Sequence, residues 1–316
     1  MVKLKDKITL CISLSILLLI IGLNISPVYC QVNIETVRSK VIEAYLAILD
    51  ISREGGNVTI LVNELNQAID ILEGVKKGSL SDAYNIANDI INNYPQLKEE
   101  AIANRNFTYM IWVIEGVVSV IVIYILYRLI PKAIWRAWLK IRGSNVVIVR
   151  KERANRKSMY ISGEVRAVVL ALVVVIGVFA ISQAYMAGRV IEPFSELGLL
   201  GKKMKIGDYP REVIAGQPIF FYVYVGNHLG YPAYYQVRIM IGDAETNVDP
   251  APLNPILIRS RILLHNETWI FPVNITIMKP GLNQRIIVEL WIYNTTTHTF
   301  TYHHRWNQLW INVTKI

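Results

Sequence analysis

RLIPKAIWRAWLKIRGSNVVIVRKERANRKSMYISGEVR, residues 128–166, holds eleven Lys/Arg against two Asp/Glu and lies between two long apolar runs. Its net +9 equals the formal charge of the whole 316-residue chain, so the remainder sums to zero. A short basic loop between two membrane-length apolar runs is the positive-inside signature. It predicts transmembrane helices at 107–130 and 167–188, a basic cytoplasmic loop over 131–166, and extracytoplasmic placement of everything on either side. Each run is long enough to cross a hydrocarbon core of about 30 Å at about 1.5 Å per residue. Tyr109, Trp112, Tyr127, Trp135, Trp138 and Tyr185 stand near the span ends, where interfacial aromatics belong. The loop segment 132–140 reads as an amphipathic stretch held by anionic lipid, and Val146 to Val149 as a short strand.

Outward from the loop, residues 1–30 read as a signal peptide: Lys3, Lys5 and Lys7, an apolar run, then a cleavable Ser26 to Gln31 stretch. An uncleaved anchor is the alternative, and both place the following residues outside. The bulky Tyr29 before Cys30 argues against lipidation there. The two cysteines, Cys11 and Cys30, both lie in this leader. A mature chain without cysteine has no disulfides, thiol catalysis or cysteine metal sites.

Residues 31–105 show helical spacing of apolar positions, first Val37, Val41, Ala44, Tyr45, Ile48 and Leu49, then Ile60, Leu61, Leu65, Ile69 and Leu72. Gly55-Gly56 and Lys76-Lys77-Gly78 punctuate the pattern, and Ser79-Leu80-Ser81-Asp82 reads as a capping box opening a third helix. The expectation is an extracytoplasmic three-helix bundle. A bundle this small is marginal alone, so it is expected to dock on its own membrane region or on another chain. Residues 189–205 read as a linker with an early strand near 203–206. Over 206–316 the period changes to two, with strands expected at 219–225, 234–241, 256–264, 269–277, 285–293 and 309–313, separated by turn-forming residues. The fold class is thus a membrane protein, α plus β, ending in an immunoglobulin-like antiparallel β-sandwich.

The segments Tyr209-Pro210, Gly216-Gln217-Pro218, Tyr222 to His228, Leu264 to Trp269 and Lys279-Pro280-Gly281 resemble archaeal membrane proteins grouped as domain of unknown function sixteen-sixteen. The resemblance covers roughly 128–316. It implies placement in an archaeal envelope, in association with surface glycosylation or cell-wall assembly, and brings no catalytic residue set. Its motif turns are Asn227, His228, His265 and Asn266.

Asn-X-Ser/Thr triplets make Asn57, Asn266, Asn274, Asn294 and Asn312 glycosylation candidates, all on the side assigned outside; Asn106 stands too near the membrane. Glu115 lies eight residues into the first span, and Ser182 and Gln183 at similar depth in the second. They are candidate intramembrane contacts, with each other or with a partner's helix. The five histidines, His228, His265, His298, His303 and His304, all fall in the sandwich region, but His303 and His304 point to opposite faces of an extended strand and have no acidic residue at ligand spacing beside them. No phosphate-cradling loop, Ser-His-Asp order or zinc-protease motif is present. Catalytic, metal and cofactor residues are therefore expected to be none. Tyr231, Tyr234, Tyr235, Trp291, Tyr293, Tyr302, Trp306 and Trp310 suit packing better than sugar stacking. The expected function is a non-enzymatic, membrane-anchored scaffold or accessory subunit of an envelope or protein-glycosylation assembly. A ligand-binding ectodomain signalling across the membrane is the alternative. Expected partners are membrane lipid, another envelope or membrane protein, and glycan; no nucleic acid is expected.

Overall fold

The computed structural model describes residues 33–141, 163–186 and 192–315. The expected signal peptide, the Val146 to Val149 strand and most of the basic loop lie outside the described residues. Four helices and eight strands are described: α1 Ile34–Arg53, α2 Thr59–Leu72, α3 Leu80–Ile141 and α4 Gly163–Met186, then β1 Phe194–Leu200, β2 Glu212–Ile214, β3 Pro218–His228, β4 Ala233–Gly242, β5 Leu257–Leu263, β6 Thr268–Thr276, β7 Gly281–Asn294 and β8 Thr299–Thr314.

The helix starts follow from local chemistry. Asn57 Oδ1 accepts the Thr59 N–H at 3.1 Å ahead of α2. The capping box at α3 closes in both directions, with Ser79 N–H donating to Asp82 Oδ2 at 2.8 Å and Asp82 N–H to Ser79 Oγ at 3.1 Å. Gly56 lets the α1–α2 turn touch α3, since a Cβ there would meet Ile51 Cγ2 at 2.5 Å and Ala101 Cβ at 3.0 Å. Val41, Tyr45, Ile48, Leu65, Ile69, Ala83, Ala87 and Ile90 fill the space between the three helices.

One correction concerns where the bundle ends. No break separates it from the first apolar run: α3 is one helix of 62 residues, about 93 Å at about 1.5 Å per residue. Its early turns bury Ala83, Ala87, Ile90 and Ala101, whereas every residue of 107–125 is exposed. Among the described residues, this is the one helix long and apolar enough to cross a membrane; α4 contributes a shorter apolar stretch, Ala171–Gln183.

The linker expected over 189–205 is likewise corrected, because β1 occupies most of it and the residues near 203–206 form a turn. The sheets are β1-β3-β6 and β2-β8-β7-β4-β5. The second is mixed rather than antiparallel, since β2 runs parallel to the end of β8 with Glu212 opposite Asn312. Leu199, Phe221, Val223 and Val273 from the first sheet meet Val237, Ile239, Ile286, Val288 and Ile311 from the second in one core. β1 lies along the free edge of β8, then β2 pairs with β8 itself, so the chain switches sheets between them.

The bundle, expected to dock on its own membrane region or on another chain, has a partner within this chain. It packs on the outer face of the five-stranded sheet, where Tyr234, Ile262 and Tyr293 join the helical core.

Candidate functional site

The seam between helices and sheet is the most elaborated contact in the molecule. β5 is an edge strand, and an open edge needs partners for its outward peptide groups. Helix α2 supplies them. Asn66 Nδ2 donates to the Ile262 carbonyl at 2.8 Å and Asn66 Oδ1 accepts the Ile262 N–H at 2.9 Å, so one amide imitates a neighbouring strand. Two turns on, the Glu73 carboxyl faces Ser260, the next outward-facing residue of β5. Spacing of seven on the helix thus meets spacing of two on the strand. Burial pushes the Glu73 carboxyl up to about 7, against the opposing effect of Ser260, and burial also raises Asp70 despite Arg261, Lys76 and Arg259. Beside these, Tyr45 packs edge-on to Tyr293 at 5.8 Å, tilts against Tyr234 at 5.5 Å, and donates its hydroxyl to the Pro232 carbonyl at 3.2 Å. Burial lifts the Tyr45 and Tyr234 phenols above their usual range, keeping both neutral.

The four motif-turn residues do come together, at one end of the sandwich. Asn227 is fully buried. Its Nδ2 donates to the Tyr231, Leu263 and Leu264 carbonyls at 2.9, 2.8 and 3.1 Å. Its Oδ1 accepts from Leu229 N–H at 3.0 Å and from Tyr235 Oη at 3.2 Å. His228 Nδ1 lies 2.9 Å from Asn266 Oδ1, and His265 Nδ1 accepts the Gly230 N–H at 3.1 Å. These residues pin the 229–232 turn to the 264–267 turn.

A serine and a histidine that the sequence separates by more than a hundred residues also meet here, with Ser195 Oγ 2.9 Å from His303 Nε2 and 2.6 Å from Tyr235 Oη. Tyr235 Oη is also within 3.2 Å of Asn227 Oδ1, so the histidine, serine, tyrosine and asparagine form one chain of polar contacts. Burial lowers the His303 pKa, with Arg305 and His304 adding to the effect. The pair belongs to a structural zipper: Arg305 Nε donates to the Ser195 carbonyl, Asn307 Nδ2 to the Leu197 carbonyl and Tyr209 Oη to the Leu199 carbonyl, at 3.3, 2.8 and 2.6 Å. Every second carbonyl of β1 is thereby capped. A cleft of about 580 Å³ opens beside it, lined by Glu196, Tyr209, Tyr224, Asn307 and Gln308 among others.

On the outer face of the five-stranded sheet Glu289 is also fully buried, accepting from Ala251 N–H at 2.5 Å and Trp291 Nε1–H at 3.1 Å, with the Arg238 guanidinium 3.7 Å from the Trp291 ring centroid. Residues 243–256 thus fold over this face, with Ala251 against Met240 and Ile287. No hydrogen bond joins Glu115 to Ser182 or Gln183 among the described residues, and all three are exposed. The histidines do not gather: no group of three or more His, Cys, Asp or Glu capable of holding a metal occurs among the described residues. Of the aromatics, Tyr234 and Tyr293 serve the seam and Tyr235 the core, whereas Trp310 stands exposed beside Arg285.

Among the sequons, Asn57, Asn266 and Asn274 are exposed, while Asn294 and Asn312 are half-buried. Sequence reasoning missed Asn66, Glu73, Ser195 and Glu289, whose roles arise only when distant elements meet. Asn66 alone carried a signal, a polar residue on an otherwise apolar helix face.

No curated protein matches the chain. Among solved structures, similarity extends to a Listeria innocua β-glucosidase in complex with glucose, 13% identical over 38% of this chain and 16% of that one, with a TM-score of 0.28. The CARDB domain of a Pyrococcus furiosus protein in complex with di-metal ions is 14% identical over 39% of this chain and 89% of that one, TM-score 0.27. The complex of zinc α2-glycoprotein and prolactin-inducible protein from human seminal plasma gives 6% identity, 39% and 98% coverage, and a TM-score of 0.26. The chain spans under a fifth of the length of the glucosidase. The family comparison is narrower than the expected 128–316 and leaves both apolar helices outside it: residues 189–312 match the family described as domain of unknown function (DUF1616).

Proposed function

We propose that the chain is a non-enzymatic, membrane-anchored cell-surface protein that acts as a scaffold or accessory subunit of an archaeal envelope or protein-glycosylation assembly. In this reading the leader is a cleaved signal peptide, α3 and α4 both span the membrane, the basic loop is cytoplasmic, and the helical module and sheet domain stand outside. The sheet domain is immunoglobulin-like, which the two-sheet strand order supports.

The observation that carries the reading is α3. The same uninterrupted helix is built into the helical core at one end and exposes an apolar surface through 107–125 at the other. A rigid body fixed to a membrane helix, presenting its surface by shape, is the arrangement a scaffold needs. Its partners are membrane lipid and another envelope or membrane protein, with glycan as a further contact; nothing in the reading calls for nucleic acid. The continuity of α3 also favours the second reading, a ligand-binding ectodomain that signals across the membrane, because a helix without a hinge transmits displacement.

Crosslinking of the full chain in native membranes followed by mass spectrometry separates the two. The scaffold reading expects a stoichiometric membrane partner, lost or reduced with Glu115→Gln. Recovery of the chain alone, in a ligand-responsive state, would replace it with the receptor reading.

A further inference from the structure

We infer that Asn274 carries an N-linked glycan that guards the open edge of the three-stranded sheet; the inference rests on the outward placement proposed above. β6 is the outermost strand of that sheet, with β3 on its only paired side. The peptide groups flanking it fix which residues face outward. Asn227 N–H donates to the Glu267 carbonyl at 3.1 Å and Gly216 N–H to the Ile277 carbonyl at 3.0 Å, so the odd-numbered groups turn toward β3. The groups of Thr268, Ile270, Pro272, Asn274 and Thr276 therefore turn to the open side. An exposed edge nine residues long is a template for pairing with another chain. Pro272 removes one donor from it, which leaves the half of the strand around Asn274 unguarded.

The same residues present their side chains to solvent, alternating with buried Phe271, Val273 and Ile275. Asn274 and Thr276, the amide and the hydroxyl of the sequon, thus stand side by side on one face. Asn274 differs from the other four candidates in its side-chain amide. Asn57 Oδ1 accepts the Thr59 N–H, Asn266 Oδ1 faces His228, Asn294 Oδ1 accepts from Thr296 and Thr297 N–H, and Asn312 Oδ1 accepts the Asn283 N–H. The Asn274 carboxamide makes no hydrogen bond among the described residues. Directly opposite it on β3 is Phe220, half-buried and packed edge-on to Tyr222 at 5.1 Å. These rings offer an apolar seat for the first sugar.

The donor is a lipid-phosphate-linked oligosaccharide, and a separate transferase catalyses the step. A bond forms between Asn274 Nδ2 and the sugar anomeric carbon as the bond from that carbon to the phosphate oxygen breaks. The amide nitrogen loses one proton, and the lipid phosphate leaves.

The test is peptide-mapping mass spectrometry of the full chain from native membranes. Sidedness is read separately, by labelling an Ile270→Cys variant in intact cells with a membrane-impermeant maleimide. The expected result is a glycan on the Asn274 peptide, loss of that mass in Asn274→Gln, and association of the N274Q chain into larger species that an added Ile270→Lys restores to single chains. A bare Asn274 in a chain labelled from outside would overturn the inference and leave the outward placement standing. A bare Asn274 in a chain that the reagent does not reach would overturn both.

Discussion

A single amide decides how the two modules meet. Replacing Asn66 by alanine leaves the Ile262 N–H and carbonyl buried at the seam without partners, at about 1–3 kcal/mol for each unsatisfied group. We expect Asn66→Ala to lower the urea midpoint of the full chain by the equivalent of about 2 kcal/mol or more, with the aromatic signals of the seam lost first. Asn227 carries more. Its alanine variant strips three carbonyls and one N–H of their partner inside the sheet domain, and a loss of about 4 kcal/mol or more should show as failure to accumulate folded protein. Glu73 gives a pH signature. Its folded carboxyl titrates near 7, above the ordinary range of an unfolded glutamate, so the folded state holds a proton that the unfolded state has already released. Stability from this site therefore falls as pH rises from the usual carboxylate range to about 7, and is flat above. Glu73→Gln should remove that slope and stabilise the protein at pH 8, on the order of 1 kcal/mol after discounting for partial exposure. An unchanged slope in thermal melts across this window would show that the carboxyl is solvated.

At the scale of elements, legibility followed amphipathic pattern. The helices α1 and α2 and the capping box of α3 were readable because their apolar positions recur on one face and their caps use local residues. So were β3, β4, β6 and β7, whose alternation marks one buried face. The strands that eluded reading are those whose inner face is not apolar. In β8 the inward residues near its start are His303, Arg305 and Asn307, spent on capping β1 rather than on filling the core. β1 shows little alternation, because its exposed edge is closed by those side chains. The sheet switch between β1 and β2 is what turned an expected linker into structure. Because Asn307 holds the middle carbonyl of β1, Asn307→Leu should cost about 1–2 kcal/mol and raise amide exchange in β1 and β2 while the β4–β7 pair stays protected. Equal exchange in both regions would mean that the zipper adds nothing. Helix α3 read as two objects because its period changes from amphipathic to uniformly apolar near residue 106, while its backbone does not change at all.

At the scale of the whole molecule, the seam and the continuous helix together make one body. The helical module cannot tilt without breaking the Asn66 and Glu73 contacts to β5, and α3 cannot swing without unpacking Ala83, Ala87 and Ile90. Surfaces at opposite ends of the molecule therefore keep a fixed relation to α3, which is what the proposed presentation to a partner, or transmission of a ligand's effect, would use. None of this was visible in the sequence, since it depends on residues 196 positions apart sharing a hydrogen bond. The measurement that tests it most directly is hydrogen exchange of the full chain in lipid nanodiscs, read at residue resolution over 258–264 and 95–125. If the seam and the helix form one body, the Ile262 amide exchanges as slowly as the sheet core and protection runs unbroken through 101–110. Rapid exchange at Ile262, or a protection gap ahead of Phe107, would contradict it by showing two modules joined by a hinge.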